Sequence, residues 1–168
     1  MTHQTATSPI APSTRSNLRS WPQEIETRLF RPFIMPLQIA FYRWTGGRIG
    51  GKLGGVRFLL LTTVGRKSGT VYTTPLAYID HEQDGYVVAA TNAGFPRRPG
   101  WYHNLKGEPR ATIRVGNRVM TVVAEEATGE ARDRLWGRLL AQIPGYAAYQ
   151  ERTDRVFPMM ILRPVDRS

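Results

Sequence analysis

The sequence contains no cysteine, which removes disulfides, thiolate metal sites and thiol nucleophiles together and fits a reducing compartment. Histidine is nearly as scarce. His3, His81 and His103 stand far apart with no carboxylate at ligand spacing, so no metal site is expected. Acidic residues are outnumbered, 13 against 23 lysines and arginines, for a formal net charge of +10. Such an imbalance asks for an anionic partner: nucleic acid, an acidic membrane surface or a polyanionic small molecule. No RNP-like aromatic strand, zinc finger or helix-turn-helix pattern accompanies the charge, so nucleic acid is not the expected one. Long apolar runs are missing too. Nowhere do eighteen apolar residues follow one another, and no hydrophobic region precedes a cleavage site, so neither a membrane span nor a secretory signal is expected and a cytoplasmic protein is.

What the chain does have is material for one ordinary core, 168 residues of which 41% are hydrophobic. Residues 1–20 are rich in Ser and Thr, carry Pro9 and Pro12 and hold few large apolar side chains, which predicts a disordered tail. Across residues 21–45, Ile25, Leu29, Phe30, Phe33, Ile34, Leu37, Phe41 and Trp44 recur at helical spacing, broken by Pro22, Pro32 and Pro36. Two short amphipathic helices fit that pattern. Their apolar face would dock on the same domain or, with Arg28, Arg31 and Arg43 alongside, make a peripheral membrane contact. Gly46 to Gly55 has six glycines in ten residues and reads as a linker into a domain spanning 46–168.

Beyond the linker the period shortens to two. Strands are predicted over Arg57 to Thr63, Tyr72 to Asp80, Tyr86 to Ala90, Arg110 to Val115, Arg118 to Ala124 and Phe157 to Leu162. A helix from Gly129 to Gln142 is expected to bury Leu135, Trp136, Leu139, Leu140 and Ile143, and Glu125, Glu126 and Glu130 read as an exposed cluster at its start. Pro75 cannot donate to a ladder, so its strand should have an edge or a bulge there. Six strands with helices following the meander give an α+β domain built on a small, mostly antiparallel barrel.

Three stretches could carry chemistry. In LLLTTVGRKSGTVYTTPL, from Leu59 to Leu76, a Gly-bracketed turn gathers Arg66, Lys67 and Ser68, a guanidinium, an ammonium and a hydroxyl suited to phosphate or carboxylate. It is no nucleotide-triphosphate loop, because Arg66 and Leu61 occupy the places that loop reserves for glycine. It is equally readable as a solvated hairpin. Thr91 to Leu105, TNAGFPRRPGWYHNL, sets Arg97 and Arg98 before Trp101 and Tyr102, either an aromatic wall for a flat acidic ligand or an anchor of a short helix through Trp101 and Leu105. Tyr146 and Tyr149 share a helical face. At pH 7 their hydroxyls are neutral donors, able to orient an oxygen or supply a proton if they rim a cavity. Ser68 has no evident base, which argues against a serine hydrolase.

Taken in order, these stretches, with IPGYAAYQERTDR and the final apolar strand, resemble the deazaflavin-dependent nitroreductase family of actinobacteria over roughly Arg43 to Pro164. The resemblance implies a split β-barrel related to FMN-binding barrels, with coenzyme F-420, an 8-hydroxy-5-deazaflavin, lying in a groove. It places Arg66, Lys67, Ser68 and Gly69 on the phosphate and polyglutamate tail, and Thr74, Pro75 and Leu76 beside the ring. Thr91, Asn92, Trp101 and Asn104 fall at cofactor-pocket positions, and Tyr146 and Tyr149 match the substrate-pocket tyrosines. Three positions depart from the family pattern: Tyr72 replaces an arginine, Asn92 a lysine and Ile143 a tyrosine. The implied activity is transfer of a hydride from the reduced deazaflavin to a small electron acceptor such as a quinone, enone or nitroaromatic. A carrier that binds the coenzyme or another polyanion without turnover, and an FMN-dependent reductase on the same barrel, are the alternatives.

Overall fold

The computed structural model of the protein describes residues 52–53, 55–82 and 85–165. The expected tail, the helical segment 21–45 and most of the glycine linker lie outside the described residues. Seven strands are present: β1 (Lys52–Leu53), β2 (Val56–Val64), β3 (Val71–Asp80), β4 (Tyr86–Ala89), β5 (Arg110–Val115), β6 (Arg118–Ala127) and β7 (Met159–Pro164). Three helices join them: α1 (Gly100–Gly107), α2 (Gly129–Gln142) and α3 (Ala147–Gln150). The last part of the glycine stretch is more than a linker. Lys52 and Leu53 pair with Arg57 and Val56, a turn that the left-handed Gly55, φ +86°, makes possible.

The sheet runs β1-β2-β3-β4-β7-β6-β5, and β5 pairs back onto β2, closing an antiparallel barrel of six strands. Closure is uneven. β2 and β3 share eight residue pairs, from Arg57↔Tyr78 to Val64↔Val71, whereas β3 and β4 share only Ile79↔Val87 and Asp80↔Tyr86. Residues 71–78 of β3 therefore keep one edge free of strand pairing among the described residues. Pro75 sits in that stretch, opposite Leu60 of β2, where the N–H it lacks has no ladder to serve.

Alternation splits the apolar strands between two cores. Leu59, Leu61, Tyr78, Val88, Ala90, Ile113, Val122, Met160 and Leu162 point into the barrel, which α1 stoppers with Trp101, Tyr102 and Leu105. Their neighbours Ala77, Ile79, Val87, Ala89, Met159 and Ile161 point outward and are covered by Leu135, Leu139 and Ile143 of the α2 end. A strand buried on both faces must be apolar at every position, which is why β4 and β7 read as continuous runs.

Two strands have boundaries more than one residue from expectation. The last strand starts at Met159 rather than Phe157, because Pro158 has no N–H to pair and Phe157 instead packs its ring 5.4 Å from Trp136. β6 continues through Glu125 and Glu126 to Ala127, so these carboxylates are strand residues and only Glu130 stands in the first helical turn. Their side chains take opposite faces: Glu125 pairs with Arg163 at 3.2 Å, and Glu126 turns to the barrel mouth.

Candidate functional site

Between Val64 and Val71 the chain closes a tight turn: the Gly65 N–H donates to the Thr70 carbonyl at 2.7 Å and the Gly69 N–H to the Gly65 carbonyl at 2.8 Å. Ser68 Oγ accepts from the Thr70 N–H at 3.2 Å and lies 3.5 Å from the Tyr72 hydroxyl. Gly65 is favoured by contact. A Cβ there would meet Ser68 Oγ at 2.6 Å and Tyr72 Cε2 at 2.8 Å. Gly69 is required by conformation, with φ +67°. The turn thus spends its own polar groups on rigidity and leaves the side chains of Arg66 and Lys67 exposed, with no ion pair or hydrogen bond among the described residues. Asn104 of α1 underpins it. Its Oδ1 accepts from the Arg66 N–H at 3.3 Å and its Nδ2 donates to Thr63 Oγ1 at 3.1 Å, and the end of α1 at Gly107 lies beside the Arg66 side chain, whose Cβ is 3.4 Å from where a Cβ on Gly107 would stand, an ordinary contact.

A second loop leaves β4 in an unusual conformation. Asn92, Ala93 and Gly94 are all left-handed, with φ of 48°, 54° and 81°, which for a residue with a Cβ costs about 1–2 kcal/mol. Surrounding contacts hold it. Asn92 Nδ2 donates to the Arg97 carbonyl at 2.9 Å, and Arg155 donates to the carbonyls of Ala90 at 3.2 Å, Thr91 at 2.6 Å and Phe95 at 3.0 Å. Gly94 presses on the tyrosine helix: a Cβ there would stand 2.8 Å from the Tyr149 carbonyl and 3.2 Å from Arg152 Cβ.

The tyrosines form an aromatic stack along α2 and α3. Trp136 and Tyr146 have centroids 6.4 Å apart, and Tyr146 and Tyr149 5.2 Å, both edge-to-face. Burial, with the Tyr149 hydroxyl adding to it, pushes the Tyr146 phenol up to about 12. At neutral pH it is a proton-bearing donor. Ile143, where the family pattern has a tyrosine, is buried in the outer core as its helical spacing predicts, with Tyr146 packed against that core.

The expected residues therefore fall into two groups joined by α1. Arg66, Lys67, Ser68, Gly69 and Asn104 meet at its C-terminal end. Thr91, Asn92, Tyr146 and Tyr149 gather around the loop that leads into its N-terminal end. An eight-residue helix spans about 12 Å at 1.5 Å per residue. Half-buried Thr74, Pro75 and Leu76 lie in the stretch of β3 that has no second strand partner among the described residues. Trp101 is 6% exposed and anchors α1 in the barrel together with Leu105, as the plainer of its two sequence readings has it. Of the loop arginines, Arg97 is exposed and Arg98 stacks 5.4 Å over the Tyr102 ring.

Two functional neighbours escape sequence reasoning. Glu126 accepts from the Tyr102 hydroxyl at 3.1 Å and pairs with Lys106 Nζ at 2.9 Å, so burial and then this carboxylate push the Tyr102 phenol up. Arg155 gave no signal in a chain with so many arginines.

Comparison with known proteins bears on what this arrangement serves. Residues 34–164 match the model of the F420H(2)-dependent quinone reductase family. An F420H(2)-dependent quinone reductase of Mycobacterium tuberculosis is 39% identical over 133 residues, 77% of this chain and 89% of that protein. The solved structure of an F420-H2 dependent reductase, FDR-A, is 36% identical and superposes with a TM-score of 0.57 over 63% of this chain and 93% of its own. A structure described as a domain-swapped dimer is 28% identical, with a TM-score of 0.60 over 85% of this chain and all of its own.

Proposed function

From the premise that this chain belongs to the F420H(2)-dependent quinone reductase family, a family of oxidoreductases that depend on coenzyme F-420, we propose that it reduces an electron-poor acceptor, a quinone before an enone or nitroaromatic. The residues present suit the coenzyme. Its tail is an anionic oligomer, and the Gly65–Thr70 turn offers two exposed cations whose side chains have no partners among the described residues, on a turn closed by two backbone hydrogen bonds of its own. That pairing of rigid turn and unengaged charge is the observation that carries the reading. Lys67 and Arg66 would hold the tail, Gly69 would let it approach the backbone, and the free edge of β3 at Thr74, Pro75 and Leu76 would lie along the ring with backbone groups to offer.

When bound in reduced form, the deazaflavin supplies a hydride from the central carbon of its ring. The chain's part is to position and to exclude. Half-buried β3 residues and the Thr91–Asn92 loop keep water from one side, and Asn104 fixes the tail turn relative to the helix that separates it from the tyrosines. Tyr146 Oη and Tyr149 Oη orient the acceptor oxygen by hydrogen bonding, and the raised Tyr146 phenol keeps its proton available there at any physiological pH.

The deciding experiment titrates the protein into the coenzyme and, separately, into FMN, following fluorescence, and then mixes the reduced coenzyme complex with quinones, enones and nitroaromatics. Preferential binding of the deazaflavin with quinone-dependent oxidation is the expected result. Tight binding with no oxidation across the panel would leave a carrier, and preference for FMN would overturn the cofactor assignment to these residues.

A further inference from the structure

The left-handed run Asn92-Ala93-Gly94 goes against local preference at Ala93, whose Cβ disfavours positive φ, while asparagine tolerates that region and glycine enters it freely. Something must hold it. The loop closes two backbone bonds of its own, Gly94 N–H to the Thr91 carbonyl at 3.1 Å and Phe95 N–H to the Asn92 carbonyl at 3.0 Å, and of the five side-chain hydrogen bonds around it Arg155 supplies three: Nη1 donates to the Ala90 carbonyl at 3.2 Å, and Nη2 to Thr91 at 2.6 Å and Phe95 at 3.0 Å. These carbonyls stand immediately before and after the turn. The guanidinium lies 4.8 Å over the Phe157 ring, a cation–π contact that adds to its placement, and its Nε–H is buried without a partner among the described residues. An unsatisfied donor is costly, so the placement serves the three carbonyls rather than the arginine itself.

Arg155 is in turn held from the tyrosine side. Its N–H donates to Thr153 Oγ1 at 3.2 Å, and its carbonyl accepts from Gln150 Nε2 at 3.3 Å. Gln150 ends α3, the helix of Tyr149. Arg152, just beyond it, reaches Ala93 carbonyl at 3.4 Å. Contacts therefore run in a closed circuit: from α3 through Gln150 to Arg155, across three carbonyls to the loop, and back through Gly94 onto the Tyr149 carbonyl, where even a methyl group would not fit.

We propose that Arg155 is a positioning residue for the reaction, clasping the Asn92–Gly94 turn by its flanking carbonyls and thereby setting where Tyr149, and Tyr146 stacked on it, stand relative to the acceptor. This rests on the reading of the tyrosine pair as the acceptor side of the site. Arginine is needed because its planar fork reaches three carbonyls in different directions, whereas a lysine ammonium concentrates its donors at one point. A misplacement of about 1 Å costs roughly a hundredfold in rate where geometry sets the barrier. The tail turn, at the far end of α1, is outside the circuit.

The test compares wild type with Arg155→Ala and Arg155→Lys by acceptor kinetics, by coenzyme binding and by amide hydrogen exchange. In Arg155→Ala, kcat/KM for the quinone falls about tenfold to a hundredfold, with the loss in kcat as well as KM, and the salt dependence of coenzyme binding is unchanged. Amides of 92–95 and 147–152 exchange about tenfold faster while the β5–β6 hairpin keeps its protection. Added methylguanidinium restores part of the rate to Arg155→Ala and none to Arg155→Lys. Acceptor kinetics within about twofold of wild type, unchanged exchange at 92–95, or faster exchange throughout the barrel would each overturn the proposal. Should the wild type reduce no acceptor, the proposed function falls, and exchange at 92–95 and 147–152 alone decides whether Arg155 is the clasp.

Discussion

Within one turn, Lys67 and Gly65 have separable duties. Lys67 is exposed and its side chain has no partner among the described residues, so Lys67→Ala leaves the fold intact and removes one charge-assisted contact to the tail, about 1.5–3 kcal/mol or roughly tenfold to a hundredfold in affinity. Binding of a tail-free ring analogue serves as the control and stays unchanged; equal loss for both ligands would move Lys67 off the tail. Gly65→Ala acts differently, by driving a methyl into Ser68 Oγ and the Tyr72 ring, and lowers both thermal stability and tail affinity. Tyr146 yields a prediction with a sign. Its folded pKa of about 12 lies above the unfolded value near 10, so the native state binds more protons between them. Stability from this group is full below about pH 10 and is lost as pH climbs through about 12. Urea unfolding of wild type minus Tyr146→Phe as a function of pH isolates that loss, and the same variant is expected to lower acceptor turnover with coenzyme affinity nearly intact.

Among the elements, α1 is the spacer on which the arrangement depends. It plugs the barrel with Trp101, Tyr102 and Leu105, and one buried amide at Asn104 fastens it to both β2 and the tail turn. Asn104→Ala strands the Thr63 hydroxyl and the Arg66 N–H, a cost of about 1–3 kcal/mol. Thermal denaturation reads the stability term and coenzyme titration the loosened turn. The second tie is at the opposite strand, where Glu126 engages Tyr102 and Lys106. Helix α2 was legible to the residue because Leu135, Leu139 and Ile143 repeat at helical spacing and all three are buried. Glu126 was not, since a carboxylate just ahead of a helix reads equally well as a dipole-facing charge, and only the register Glu126↔Met160 shows it to belong to a strand whose inward face ends at the barrel mouth.

For the whole molecule, charge and topology act together. A net charge of +10 raises the local concentration of an anionic ligand, and salt shortens the reach of that field to about 8 Å at physiological strength. Coenzyme affinity should therefore fall steeply between low and high salt while a tail-free analogue changes little; parallel slopes would separate the charge from the site. Topology adds the stretch of β3 that has a strand on one edge only among the described residues. Its outward amides over residues 71–78 are expected to exchange faster than those of the doubly flanked β7, and to gain protection when coenzyme binds if the ring lies where the proposed function puts it. Among the described residues no helix is long and apolar enough to cross a membrane.

By itself the sequence determined the elements and their faces, because period-two and period-3.6 patterns are local consequences of where a side chain points. It determined the glycine-bracketed cationic turn as well, since Gly65, Arg66, Lys67, Ser68 and Gly69 adjoin in the chain. Tertiary structure alone decided which strand edge has no strand beside it among the described residues, that Asn104 braces the turn from 38 and 41 residues away, and that Arg155 grips carbonyls 60 to 65 residues upstream. Backbone carbonyls are the same in every residue, so no pattern of side chains announces which of them a distant guanidinium will find until the barrel has closed.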